Sequence, residues 1–195
     1  MLGVCFALIC WIVWFLPDTT SSTLAFDRQA IVAGQLWRLW TCHVTHFSWQ
    51  QLSIDSSVVA ILGYTVQRHM KAMHLMALFT LALPLVSLAI FWLVPDMLHY
   101  RGASGIGAML WMMAACQMLL QSRRYSAYFW LGIIFLTLLF AKLIGEAFLG
   151  MQAVSALPGN VQVAWQAHLF GAIIGGMDFF LAQCCINRRH AAFEK

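Results

Sequence analysis

Six apolar stretches separated by shorter polar ones run along this 195-residue chain: Leu2–Leu16, Trp49–Gln67, Met73–Val94, Ala103–Leu120, Ala127–Leu149 and Val161–Cys184. A helix that crosses the hydrocarbon of a bilayer needs about 20 apolar residues, with a range of roughly 17–25. The first stretch is short by that measure and the others fit. The pattern predicts an all-α membrane protein, a six-transmembrane-helix bundle forming a single domain over residues 1–195. Leu2–Leu16 lacks the basic start of a signal peptide, and Phe15-Leu16-Pro17-Asp18 is not a small-residue cleavage site, so it reads as a retained first helix. The link from Pro17 to Ser48 is too long and too polar at its start for a tight turn. Its Asp18–Thr23 stretch is expected to be an exposed loop. Trp37, Trp40, Phe47 and Trp49 suit the membrane–water boundary.

Composition agrees with the pattern. Apolar residues make up 62% of the chain and charged ones 9%, against about 45–50% and about 25% in soluble domains. The net charge of +4 sits in short loops with no basic run, so a nucleic-acid partner is not expected. Arg68, Lys71, Arg123, Arg124, Arg188, Arg189 and Lys195 fall on one set of loops, and Arg28, Arg38 and Arg101 on the other. The positive-inside rule then predicts both termini in the cytoplasm. The six cysteines include no C-x-x-C pair, which favours neither a zinc site nor a disulfide framework. Cys184 and Cys185 read as buried or lipid-facing thiols before palmitoylation sites.

That orientation makes the second, fourth and sixth helices begin at the outer face. Gln51 and Asp55 lie early in the second, Ser104 opens the fourth, and His168 lies about two turns into the sixth. At about 1.5 Å per residue all four sit within about 10 Å of the outer surface. Polar groups inside a membrane suggest function, and Ser with His can perform nucleophilic catalysis. Ser104 at a helix start would place its reaction beside unpaired backbone N–H groups able to hold an oxyanion. Gly102 and Gly105 leave that backbone open. Gly171 and Gly175 form a Gly-x-x-x-Gly face that lets helices approach closely, and His168 lies one turn before Gly171. If that face packs on the fourth helix, His168 reaches Ser104 as general base and then general acid. Asp178 is ten residues beyond His168, roughly 15 Å along the helix and too far to orient it. A Ser104–His168 dyad is therefore expected. Lys142 and Glu146, at i and i+4, read first as a mutually neutralising pair and second as substrate contacts. Arg38 reads as a substrate contact or as a headgroup anchor of the first loop. No cofactor or metal is expected. The His43-x-x-His46 pair with His99 has the composition of a zinc site, but it lies in a loop and has no adjacent Glu.

Taken together, these motifs resemble the rhomboid family of intramembrane serine proteases. Gly102-Ala103-Ser104-Gly105 is similar to its Gly-x-Ser-Gly motif, whose serine is the nucleophile. Ala167-His168-Leu169-Phe170-Gly171 with Gly175 is similar to its Ala-His-x-x-Gly-x-x-x-Gly, whose histidine is the base. Trp37-Arg38 and His46-Phe47-Ser48-Trp49 resemble its first loop and the lead into its second helix. The family's His-x-x-x-Asn oxyanion donors are matched here by Gln51 and Asp55. Gln51 can donate through its amide; an ionised Asp55 cannot. Tyr100-Arg101, the Lys142–Glu146 pair and the small size resemble the rhombosortase branch.

The resemblance implies a bacterial inner-membrane enzyme with its active site opening to the periplasmic side. Its implied substrates are membrane-anchored exported proteins with a Gly-Gly motif, a C-terminal apolar helix and a basic tail; its other partner is the lipid bilayer. Two other classes compete. A rhomboid-like pseudoprotease would bind membrane clients without cutting them, which Gln51 and Asp55 favour and the intact Ser104 and His168 oppose. A small transporter would need charges near the midplane and has only Lys142, Glu146 and Asp178, with no internal repeat.

Overall fold

The computed structural model describes residues 1–149 and 164–193. Val161, the expected start of the sixth segment, and Lys195 lie outside them. The described chain is mostly helical, and the long helices fall on the apolar stretches. They are α1 (Leu2–Trp14), α5 (Trp49–Gln67), α6 (Ala72–Leu93), α7 (Ser104–Leu120), α8 (Ala127–Phe148) and α9 (Trp165–Phe193). Among the described residues α6, α8 and Trp165–Cys184 of α9 are long and apolar enough to cross a membrane, while α1 and α7 are apolar but shorter. Helix α5 has the length but carries Gln50, Gln51 and Asp55 in its first two turns.

Helix α7 is the centre of the bundle. It packs against α9, α8 and α5, and α1 packs on α5. Every residue from Gly105 to Leu110 is buried. Small residues make this possible: Ala103, Gly105, Gly107 and Ala108 bring neighbouring backbones close. Below them Ile106, Met109, Leu110 and Met113 fill the core with Val59, Leu75 and Ala82.

The link between α1 and α5 is more regular than its composition suggests. It holds α2 (Asp18–Leu24), α3 (Arg28–Val32), α4 (Arg38–Thr41) and a 3-10 turn, Cys42–Val44. The expected exposed loop at Asp18–Thr23 is thus a short helix. Pro17 precedes it and Asp18 occupies its first turn, both favourable at a helix N-terminus; its side chains are still largely exposed.

Several contacts fasten this link to α6, among them those of Trp40 and Arg28. Pro84, inside α6, has no N–H for the Thr80 carbonyl, and the Trp40 indole donates to that oxygen at 3.1 Å. Arg28 gathers the carbonyls at the end of α6, donating to Phe91 at 2.7 Å and Val94 at 2.8 Å. A further contact reaches the site. Strand β1 (Phe26–Asp27) pairs antiparallel with β2 (His99–Tyr100), with Phe26 opposite Tyr100. The first link thereby holds the segment that leads into Ser104.

Candidate active site

Ser104 is the first residue of α7, and no side chain caps that first turn. The residues before it are set from three directions. Gly102 has φ +131°, a conformation that side-chain-bearing residues rarely adopt. A Cβ there would also meet the Gln51 amide and stand 3.1 Å from Asp55 Oδ2. Gln51 donates from Nε2 to the Arg101 carbonyl at 2.9 Å, and its Oε1 accepts the Phe47 N–H at 2.8 Å. Asp55 Oδ2 accepts the Ala103 N–H at 3.0 Å and lies 3.4 Å from His46 Nε2. The Tyr100 hydroxyl donates to the Gly102 carbonyl at 2.9 Å and stands beside the Ser104 hydroxyl. Burial, with Cys42 and Asp55 nearby, raises the Tyr100 hydroxyl far above a phenol's usual range, so it remains a donor.

Gln51 and Asp55 therefore lie beside the serine segment, and both grip its backbone. Gln51 has one amide hydrogen left beyond its bond to Arg101. The question of how an acidic residue sits at the second position has a structural answer: Asp55 is an acceptor for a backbone N–H. Asp55→Ala should leave the buried Ala103 N–H unpaired at a cost of about 1–3 kcal/mol. Asp55→Asn keeps an oxygen there and should be milder. Serine-probe labelling rates and thermal unfolding of the two variants check this; Ala and Asn variants both matching wild type would refute it.

His168, the expected base, lies on α9. The parallel helices α7 and α9 touch at Gly171 against Gly105 and at Gly175 against Met109. A Cβ on either α9 glycine would overlap the facing carbonyl oxygen. One turn earlier, the Ala167 carbonyl oxygen lies 3.0 Å from where a Cβ on Gly105 would stand. Ser104 precedes Gly105 and His168 follows Ala167, so this register brings the serine and the histidine to the same level. His168 is buried at 4% exposure.

The environment of His168 corrects the sequence reading. A carboxylate does reach it: Glu146 Oε2 lies 2.6 Å from His168 Nδ1. The Lys142 ammonium pairs with Glu146 Oε1 and lies 3.1 Å from the same Nδ1. The Lys142–Glu146 pair does form, but it belongs to a three-residue cluster with the histidine. Asp178 instead pairs with His74 at 2.8 Å. The sequence held one signal for Glu146, a carboxylate in the last turn of an apolar helix, and the lysine one turn earlier masked it.

Two further expectations change. Arg38 is buried at 7% exposure and donates to the Ser22 carbonyl at 2.8 Å and the Ala25 carbonyl at 2.6 Å, so it ties the first link internally and is no headgroup anchor. His43, His46 and His99 face different neighbours. His43 Nε2 meets the Leu83 carbonyl at 2.8 Å and Ser87 Oγ at 2.9 Å, His46 faces Asp55, and His99 lies 3.8 Å from Asp27. Burial lowers His43 to about 4, so its ring is neutral near pH 7 and Nε2–H can donate to Leu83.

The family model for the Rhomboid domain matches residues 33–182. The comparison with curated proteins gives no match. The matched region runs from the first link through Ser104, Glu146 and His168 into α9. By that match the chain belongs to the rhomboid family, which is in general a family of intramembrane serine proteases.

Proposed function

We propose that this protein is an intramembrane serine endopeptidase in which Ser104 is the nucleophile and His168 the base. The whole chain forms one membrane domain of six spanning helices, with both termini in the cytoplasm and the Ser104 end of α7 at the outer face. The observation that carries this reading is the register of α7 on α9, where Gly171 meets Gly105 and sets His168 at the level of Ser104. Ser104 Oγ attacks a substrate carbonyl as its proton passes to His168 Nε2. The first-turn N–H groups of α7 and the remaining amide hydrogen of Gln51 receive the oxyanion. The imidazolium then returns the proton to the leaving amine.

Substrates are membrane-anchored exported proteins, cut just outside a single C-terminal apolar helix. A spanning helix satisfies its own backbone hydrogen bonds, so cleavage needs local unwinding. Each glycine lowers that cost by about 1 kcal/mol relative to alanine. The narrow surroundings of Ala103 and Gly105 also favour small residues at the cut. A Gly-Gly pair followed by an apolar helix and a basic tail, the pattern of rhombosortase substrates, meets both demands. The setting is a bacterial inner membrane, with product released to the periplasm.

A reporter carrying that tail, co-expressed with the protein, should be released outward by wild type and retained with Ser104→Ala. Replacing both glycines by leucine should block release. Cleavage of the leucine version, or release without the apolar tail, would overturn the substrate assignment.

A further inference from the structure

The cluster on α8 and α9 holds more chemistry than a Ser–His pair requires. Lys142 and Glu146 lie one turn apart inside the apolar helix Ala127–Phe148, where charged side chains are expensive. The Glu146 side chain is 7% exposed and that of His168 6%, while Lys142 reaches outward at 35%. Glu146 divides its two oxygens. Oε1 takes the Lys142 ammonium and Oε2 takes His168 Nδ1.

Nδ1 of a neutral imidazole carries either a hydrogen or a lone pair. It faces two groups with opposite demands. The carboxylate oxygen at 2.6 Å can only accept, so Nδ1 must donate to it. The ammonium at 3.1 Å can only donate, and would need the lone pair. The shorter contact selects the hydrogen on Nδ1, since two lone pairs at that distance would repel. Lys142 is then bound through the carboxylate alone.

We propose that Glu146 is a positioning residue that holds His168 in the Nδ1–H tautomer, leaving Nε2 free to take the Ser104 proton, and that Lys142 fixes which atom of the Glu146 side chain faces the imidazole. The proposal rests on Ser104 and His168 acting as nucleophile and base. Glu146 gains and loses no proton in the step. One proton moves from Ser104 Oγ to His168 Nε2 as the Oγ–carbon bond forms, and the carboxylate stabilises the resulting imidazolium.

The arrangement predicts a reversal of sign that a purely structural ion pair would not show. In Glu146→Gln, Lys142 retains the amide carbonyl and turns the NH2 toward Nδ1. That amide donates, forces the lone pair onto Nδ1 and moves the ring hydrogen to Nε2, where it blocks the base. With Lys142 also replaced by methionine, the amide is free to turn over, and its carbonyl can accept from Nδ1–H again. Lys142 is thus helpful beside Glu146 and harmful beside the glutamine.

The test uses the full-length protein in proteoliposomes with the Gly-Gly tail reporter, together with fluorophosphonate labelling. Glu146→Gln should lower kcat by about 10³–10⁴-fold, with KM within about threefold of wild type. The double variant Lys142→Met/Glu146→Gln should regain at least about tenfold over Glu146→Gln. Glu146→Gln activity within tenfold of wild type, or a double variant no faster than the single one, would overturn the proposal. Nitrogen-15 NMR of His168 in Ser104→Ala protein supplies a reading independent of turnover. Hydrogen on Nδ1 is expected, and hydrogen on Nε2 would overturn the proposal even if the Glu146 variants do not fold. Failure of wild type to label at Ser104 would count against the protease reading itself, and the tautomer measurement would still decide the role of Glu146.

Discussion

Purified protein carrying Ser104→Ala will not react with a fluorophosphonate probe, and His168→Ala will react several powers of ten more slowly than wild type while remaining folded. A serine hydroxyl is a weak nucleophile until a base removes its proton. Ser104 heads α7 with its backbone held by Asp55, Gln51 and Tyr100. Those contacts do not involve the Ser104 side chain except through Tyr100, so removing Oγ should leave the segment in place. His168, on α9, is buried and faces Glu146 of α8, and alanine there leaves Glu146 facing only Lys142. That pair neutralises itself, which is why His168→Ala should fold. Removing one member of a catalytic unit commonly costs about as much as removing all of it. Combining Ser104→Ala with His168→Ala should therefore add nothing to the loss. Thermal unfolding in detergent separates a chemical loss from a structural one. Equal labelling of wild type and Ser104→Ala would end the assignment of the nucleophile, and His168→Ala within about tenfold of wild type would end that of the base.

How far the sequence led differs from one part of the molecule to another. Helix positions were legible because an apolar run is a local signal. The predicted span Trp49–Gln67 coincides with α5; Met73–Val94 is displaced by one residue at each end from α6, and Ala103–Leu120 starts one residue before α7. The approach of α9 to α7 was legible because Gly171 and Gly175 leave little else for that face to do. Rotation of one helix against another is not a local property. Glu146 lies 22 residues from His168 in sequence, and only the azimuth of α8 sets it against the ring. The lysine one turn earlier gave it a sufficient local explanation. Arg38 was misplaced because its partners are backbone carbonyls of Ser22 and Ala25, which carry no residue-type signal. Strands β1 and β2 have two residues each, too few for an alternating pattern to register. The Asp55 position illustrates a further limit. Its charge implied an incompatibility with an oxyanion, yet the structure turns the carboxylate to the Ala103 N–H.

The contact of α9 with α7 yields a second large effect. Gly171→Ala adds a Cβ that would overlap the Gly105 carbonyl oxygen and stand 2.8 Å from the Gly105 carbonyl carbon. Both are backbone atoms of a helix buried on several sides, so no rotamer change relieves the clash. The helices must separate at the level where the proposed nucleophile Ser104 and base His168 lie. Overpacking of this kind costs about 1–3 kcal/mol, and a displacement of about 1 Å between reacting groups can cost about 10²-fold in rate. Gly176, five residues further along α9, is the internal control. A Cβ there would meet only Met112 Cγ, at 3.6 Å, an ordinary contact. Alanine is the better helix former by about 1 kcal/mol, so Gly176→Ala should be neutral or slightly stabilising. The expected result is a lower unfolding midpoint and a labelling rate reduced by about two powers of ten for Gly171→Ala, with neither change for Gly176→Ala. Equal tolerance of the two substitutions would mean that α9 does not pack on α7 in this register. The placement of His168 opposite Ser104 would then lose its basis, because that placement depends on Gly171 lying directly against Gly105.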